Sequence, residues 1–323
     1  MKEFELIKEF FSFSQSKSGA VIEGVGDDCA VLSIPDKRQL VTSVDTLVEG
    51  VHFFSDINPA DIAYKSLAVN VSDLAAMGAK PLGFTLAIAL PKVEEDWLKA
   101  FSDGLQQAST AFDIPLIGGD TTKGPLTITI NVLGTVKTDR ALLRKSAQLD
   151  DDIWVTGYLG DAAAALGLHG KAQSRQLNNA EHYLWQQLLR PKPPIVFAKK
   201  LAKLAHAAID VSDGLLVDLG HILEQSHCSA KIKVSSLPLS EQLTEFAGLE
   251  GAREFALNGG DDYELCFTAK PSMRNKILNL AEDLNINVHR IGSITAGEEA
   301  EIQLMLDGKP YKPKRQGWQH FSE

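Results

Sequence analysis

Apolar residues recur at the helical period in two places in the first third of the chain. Ala63, Leu67, Val71, Leu74 and Met77 fall three and four apart, the spacing that lines one face of a helix. Asn58-Pro59 suits its start, with Asn58 as N-cap and Pro59 in the first turn, and Gly78 suits its end. Asn70 and Asp73 lie three apart on another face of this helix. A second helix is predicted over about 94–112, with Trp97, Phe101, Leu105, Ala108 and Phe112 inward and Asp103 off the stripe. Phe84, Leu86, Ile88 and Leu90 alternate, as do Ile128, Ile130 and Val132 against Thr127, Thr129 and Asn131. Period-two alternation predicts half-buried strands. Leu40 to Val44 is a shorter strand running into Asp45.

The stretch from Thr138 to Asp152 is rich in charge and reads as a connector. A second α/β unit opens at Ile153-Trp154-Val155-Thr156. It includes a helix from Asp213 to about Ser226 and a strand from Tyr263 to Thr268. Pro191, Pro193 and Pro194 break two helices within it. The expected class is α/β (α+β) in two domains, 1–138 and 139–323; 323 residues suit two units of about 100–200 residues each.

Composition narrows the function. The net charge is −10, which disfavours non-specific nucleic-acid binding, since that needs basic surface. Three cysteines without a CxxC pair suit a reducing compartment. The first thirteen residues are amphipathic and acidic, unlike a signal peptide. No apolar run approaches the ~20 residues that span a bilayer. A soluble, cytoplasmic chain with no membrane partner is expected.

The most informative pattern is where the aspartates stand. Asp27-Asp28 follow Gly24-Val25-Gly26, Asp45 follows a strand, and Asp73 interrupts an apolar helix. Asp120 follows Ile117-Gly118-Gly119, Asp210 and Asp213 bracket Val211-Ser212, and Asp261-Asp262 follow Asn258-Gly259-Gly260. Each alone reads equally as a turn or a helix cap. Together they sit at the mouths of apolar elements, where binding groups project from a rigid scaffold. Were they to converge, two like charges 4 Å apart would cost about 4 kcal/mol at a dielectric of 20. Hard divalent cations remove that cost and prefer oxygen ligands, and the absence of a His cluster favours magnesium over zinc. Magnesium on carboxylates points to phosphate chemistry. Gly170-Lys171-Ala172 is not a Walker A loop, and Cys29 stands where a dinucleotide fingerprint needs its third glycine. A nucleotide is expected to be held through metal.

These stations, in order, resemble the thiamine-monophosphate kinase family. The matching stretches include Gly26-Asp27-Asp28-Cys29-Ala30, Ser43-Val44-Asp45-Thr46-Leu47-Val48, Val51-His52-Phe53 and Asn70-Val71-Ser72-Asp73-Leu74-Ala75-Ala76-Met77-Gly78. Ile117 to Thr122, Ile209 to Leu215 and Gly259 to Leu265 complete the set, over nearly the whole chain. The resemblance implies the two-domain fold shared with aminoimidazole ribonucleotide synthetase. Its N-terminal domain dimerises into a β-barrel-like assembly, and its C-terminal domain is α+β. It further implies ATP-dependent phosphorylation of thiamine monophosphate to thiamine diphosphate, the last step of that biosynthesis, by a homodimer using several Mg2+ ions. The implied metal ligands are Asp28, Ser43, Val44 (backbone oxygen), Asp45, Asp73, Asp120, Asp210 and Asp213. ATP contacts fall on Asp103, Gly119, Asp120, Arg144 and Ser212, and substrate contacts on His52, Asp261 and Trp318. The family often carries Glu where Asp261 stands, and the residue at Asp103 varies. No general acid or base is implied, because a phosphate monoester is already largely dianionic at pH 7.

Bland readings stand beside these. His52 reads equally as a satisfied strand residue. Arg144 also reads as a solvated one, although its planar fork suits phosphate oxygens. Trp318 also reads as a packed one, although the indole face and Asp261 would suit a thiazolium cation. Two other functions also stay open. One is another ATP-dependent member of the fold, although Cys29 reads as a small packed residue rather than the reactive loop residue of selenophosphate synthetases. The chain also ends in Glu323 rather than the terminal cysteine of the hydrogenase-maturation branch. The other is a non-catalytic, metal-dependent nucleotide-binding dimer.

Overall fold

A computed structural model of the chain describes residues 3–13, 19–26, 29–174, 176–297 and 299–314. Asp27, Asp28 and Trp318 therefore lie outside the described residues. The chain divides into two compact units, Met1–Leu74 with Ala79–Asp139, and Ala75–Gly78 with Arg140–Glu323.

The first unit runs α1 (Glu3–Phe10), β1 (Val21–Glu23), β2 (Val31–Leu32), β3 (Arg38–Val48), α2 (Pro59–Ala76), β4 (Lys80–Leu90), α3 (Glu95–Phe112), β5 (Leu116–Lys123) and β6 (Thr127–Lys137). Four strands form one sheet in the order β3-β6-β4-β5, with only the β4–β5 pair parallel. Ile128, Ile130 and Val132 alternate inward on β6, as do Phe84, Leu86, Ile88 and Leu90 on β4, all buried. They meet a buried helical layer that includes Leu67, Val71 and Leu74 of α2 and Leu98, Phe101 and Leu105 of α3. The helices thus pack on one face of a period-two sheet. The opposite face carries Leu40, Thr42, Val44, Thr129 and Ala87, and Val44 is 56% exposed.

The N-cap expectation for α2 holds: the Asn58 side-chain oxygen accepts from the Ala60 N–H at 3.0 Å. Gly104 of α3 lets two backbones touch, since a Cβ there would lie 2.1 Å from the Ala60 carbonyl oxygen. Cys29 departs from expectation and is exposed. Among the described residues, the three-residue β1 and the two-residue β2 flank it, and their residues are themselves half or fully exposed.

The second unit runs β7 (Asp152–Thr156), α4 (Asp161–Ala165), α5 (His169–Gln173), α6 (Asn179–Leu189), α7 (Ile195–Leu201), β8 (Ala207–Val211), α8 (Leu215–Ser226) and β9 (Ser229–Lys233). It continues with α9 (Glu241–Asn258), β10 (Glu264–Ala269), α10 (Arg274–Asp283), β11 (Val288–Thr295), β12 (Ile302–Leu306) and β13 (Lys309–Pro310). Its seven-stranded sheet has the order β13-β12-β9-β11-β7-β10-β8. β7 and β8 are buried throughout, as near-continuous apolar runs require. Ile153, Val155, Ile209, Leu219 and Leu223 join one core. The charged connector is less solvated than its composition implies. Asp152 is 2% exposed. It accepts from Arg274 Nε at 2.6 Å and Arg290 Nη1 at 3.2 Å, and these bonds hold its carboxyl below the usual range against the opposing effect of burial.

Candidate functional site

In the first unit the site grows from the meeting of β3 with α2. Ser43 and Asp45 stand two apart on β3, so their side chains share a face. In register they lie opposite Val132 and Ile130, the helix-covered side. On α2, Asn70 and Asp73 stand one turn apart. The Ser43 hydroxyl donates to Asp73 Oδ2. The buried Asn70 accepts from the Asp45 N–H at 3.0 Å and donates to the Ser66 carbonyl at 2.9 Å. Asn131, across the sheet, donates to the Ser43 carbonyl at 2.9 Å. Burial, and then the charge of Asp73, push the Asp45 carboxyl up to about 6. That is the signature of two acids sharing a half-buried place.

Gly119 stands on the same rung as Asp45, reached through Ile130 and Leu86. Its position admits no side chain, because a Cβ would sit 1.9 Å from the Leu86 carbonyl oxygen. Asp120 follows it and is exposed. Three strand steps at about 4.8 Å separate β3 from β5, about 14 Å along the sheet. One ion therefore cannot be shared by Asp45 and Asp120 across the sheet surface, since oxygen ligands sit at about 2.0–2.6 Å. Val44 faces away from Asp45, as alternation requires. Asp103 is exposed on α3. His52 lies in the turn after β3, not in a strand. Its Nδ1 accepts from the Val48 N–H at 3.1 Å, which puts the proton of the neutral ring on Nε2.

In the second unit two loops lie against each other. The Asp261 N–H donates to the Ser212 carbonyl and the Tyr263 N–H to the Val211 carbonyl, both at 2.8 Å. Gly260 permits this approach, since a Cβ there would lie 2.3 Å from the Ser212 oxygen. Asp210, Ser212, Asp213 and Asp261 are thereby gathered at one end of β8. Asp210 is buried, and the other three are half-buried. Asp261 and Tyr263 both take positive φ, 68° and 52°, and the Tyr263 hydroxyl donates to Asp261 Oδ1 at 3.0 Å.

Asp218 organises this loop and was not among the acids singled out in the sequence. One oxygen, Oδ2, accepts from the N–H groups of Ser212, Asp213 and Gly214 at 3.0–3.1 Å. Burial pushes its carboxyl up to about 6 against those bonds. Arg144 is exposed in a short 3-10 turn, its carbonyl tied to Ser226 at 2.7 Å.

Among the described residues, no three His, Cys, Asp or Glu side chains are placed to hold one metal ion. The donors that do meet are oxygen atoms of Ser43, Asp45 and Asp73, a set suited to a hard cation. No helix among the described residues is long and apolar enough to cross a membrane.

Comparison with known proteins shows the family to which the chain belongs. Residues 26–136 match AIR synthase related protein, N-terminal domain, and residues 150–305 match its C-terminal domain. The thiamine-monophosphate kinase of Escherichia coli (strain K12) is 47% identical over 322 residues, covering 99% of this chain and 98% of that protein. That of Bacillus subtilis (strain 168) is 33% identical, covering 99% and 100%. The crystal structure of thiamine-monophosphate kinase from Stenotrophomonas maltophilia K279a superposes with a TM-score of 0.84 at 46% identity, covering 91% of this chain and 93% of that one. A structure of AaThiL complexed with AMPPCP and TMP gives 0.79 at 31%, covering 90% and 89%. The hydrogenase maturation protein HypE in complex with ATP, at 19% identity and a TM-score of 0.73, shares the fold alone. The fold is that of the AIR synthase related proteins, and the chain belongs to the thiamine-monophosphate kinase family of enzymes.

Proposed function

We propose that this chain transfers the γ-phosphoryl group of ATP to the phosphate of thiamine monophosphate, in line and without a phosphoenzyme. The observation that carries the reading is the Asp45–Asp73 pair. Burial and the nearby charge of Asp73 raise the Asp45 carboxyl, Ser43 donates to Asp73, and Asn70 holds the Asp45 backbone, in a chain whose relatives of matching length are thiamine-monophosphate kinases. The AaThiL complex with AMPPCP and TMP supports both substrates.

The metal set proposed is Asp28, Ser43, the Val44 backbone oxygen, Asp45, Asp73, Asp120, Asp210 and Asp213, with Asp28 outside the described residues. Magnesium bound there supplies charge neutralisation between two mutually repelling phosphates. The protein's own residues do the positioning. Gly119 brings backbone close to a nucleotide, with Asp103, Asp120, Arg144 and Ser212 as further contacts. His52, Asp261 and Trp318 hold thiamine monophosphate, Trp318 outside the described residues. No residue acts as a general base, because the attacking phosphate oxygen is already ionised. The open sheet face around Val44, Leu40 and Ala87 is proposed as the homodimer surface, and the cytoplasm as the compartment.

Chromatography of the products tests this. Thiamine monophosphate should yield thiamine diphosphate, whereas free thiamine, whose alcohol needs a base during attack, should not react. Excess chelator should abolish turnover. Turnover of free thiamine at a comparable rate overturns the base-free mechanism, and full activity in chelator overturns the metal assignment.

A further inference from the structure

The segment Asp261-Asp262-Tyr263-Glu264 sends its side chains to two sides. Asp261 and Tyr263 pair with each other beside Ser212. Asp262 and Glu264 instead line a cavity of about 230 Å³. The mechanism above uses only the first side.

The cavity floor is polar and built from separate elements. Asp161, at the start of α4, is 3% exposed; it accepts from the Ser240 hydroxyl at 2.6 Å and from the Tyr183 hydroxyl. Asp262 accepts from the Gly160 N–H at 2.7 Å, and Glu264 from the Thr156 hydroxyl. Gly157 makes room for Glu264, since a Cβ there would lie 2.0 Å from its Oε1. Tyr158 and Tyr183 supply aromatic surface, Pro194 and Ile286 apolar surface, and Asn285 and Asn287 amides at the rim. Lys192 is the only Lys or Arg among the lining residues.

This lining excludes several occupants. With Lys192 as its single cation beside three carboxyl groups, the lining lacks the cluster of cationic donors that holds a phosphate. The carboxyls do not converge on one point as metal ligands must. The volume lies below the roughly 300–1,000 Å³ of sites for drug-sized ligands, a size for one ring rather than a whole nucleotide. Burial pushes Asp161 up to about 6, Glu264 up to about 7 and Asp262 well above its ordinary value. Near neutral pH the floor therefore offers both carboxylic O–H donors and carboxylate acceptors. An aminopyrimidine presents the complement: a ring nitrogen that accepts or carries a proton, an amino group that donates, and two flat faces.

We propose that this cavity is a second binding site, distinct from the Asp210–Asp261 cluster, which takes a flat amino-heterocycle of the aminopyrimidine class. The cavity and its chemistry stand on their lining residues and do not rest on the kinase reading. Because Asp261 and Asp262 are consecutive, an occupied cavity fixes the loop that presents Asp261.

Calorimetric titration of the full chain with 4-amino-5-hydroxymethyl-2-methylpyrimidine tests the site. This probe lacks both the thiazolium and the phosphate, so its binding is scored separately from product formation. Saturable binding is expected at pH 7. Glu264→Gln and Tyr183→Phe should each weaken it by about tenfold, as for the loss of one buried hydrogen bond, with AMPPCP binding unchanged. Lys192→Ala, at an exposed rim position that is safe for folding, should leave affinity equal or raise it, because it removes the cation that opposes a protonated ring. No saturable binding, binding indifferent to the Glu264 and Tyr183 changes, or loss of binding in Lys192→Ala would each overturn the proposal.

Discussion

At the scale of single residues, Asp45 holds a carboxyl at a cost to stability. Its folded value of about 6 stands above its ordinary 3.8, so the folded chain binds that proton more tightly than the unfolded one. The folded state is therefore favoured below about pH 4, and this advantage is lost as pH rises through 6. Asp45→Asn removes the charge. In chelator at pH 7.5 it should raise the melting temperature by about 2–4 °C, roughly 1 kcal/mol after allowance for solvent screening. At pH 4 the gain should vanish, and turnover should fall by orders of magnitude at any pH. Scanning calorimetry at the two pH values checks the sign; a lower melting temperature at pH 7.5 sinks the account. Asp45 and Asp73 were legible in the sequence because an acid after an apolar run, or inside an apolar helix, breaks its local pattern, although β3 continues past Val44 to Val48 and so holds Asp45 within the strand rather than at its end. Asp218 was not, since in the first turn of α8 it resembles any helix-start acid. Its task shows only when Ser212, Asp213 and Gly214 are seen to point their N–H groups at it.

At the scale of elements, the helical stripe of α2, its Asn58 cap and the alternation of β4 and β6 were all readable, because each is a local period. What could not be read is where elements meet. Asp152 takes its arginines from 122 and 138 residues away, so in the sequence it reads as one more connector charge rather than as a buried acid. The cavity above Asp161 and Glu264 likewise joins residues from α4, α6, β10 and the turn before β11. The crossing of α3 on the start of α2 is another such meeting, and it rests on Gly104. Gly104→Ala adds one methyl but places it 2.1 Å from the Ala60 carbonyl oxygen, so the backbones must part. Overpacking of this kind costs about 1–3 kcal/mol, although Ala is by itself the better helix former. Urea unfolding should show the loss; a more stable variant would mean that the helices do not touch there.

At the scale of the molecule, the first unit buries one sheet face under helices and leaves the other with Leu40 at 45% and Val44 at 56% exposure. On this face Leu40, Val44 and Ala87 stand among Thr42, Thr129 and Asn131, and exposed apolar side chains rimmed by polar ones mark interaction sites. Sedimentation at micromolar concentration should give twice 35.1 kDa, and Leu40→Glu should shift it toward the monomer. A wild-type monomer with full activity refutes the dimer.

The meeting of Asp45 with Asp73 also bears on how such a protein could change under selection. Heat alone, applied to a library with no demand for product, rewards whichever variant discards the most mutual repulsion. Neutral residues at positions 45 and 73 should be among the first survivors sequenced, and those clones should be inert. Resistance to heat and possession of a working centre thus pull these two codons in opposite directions. A breeder of hardier variants would need to hold both fixed and look for gains elsewhere.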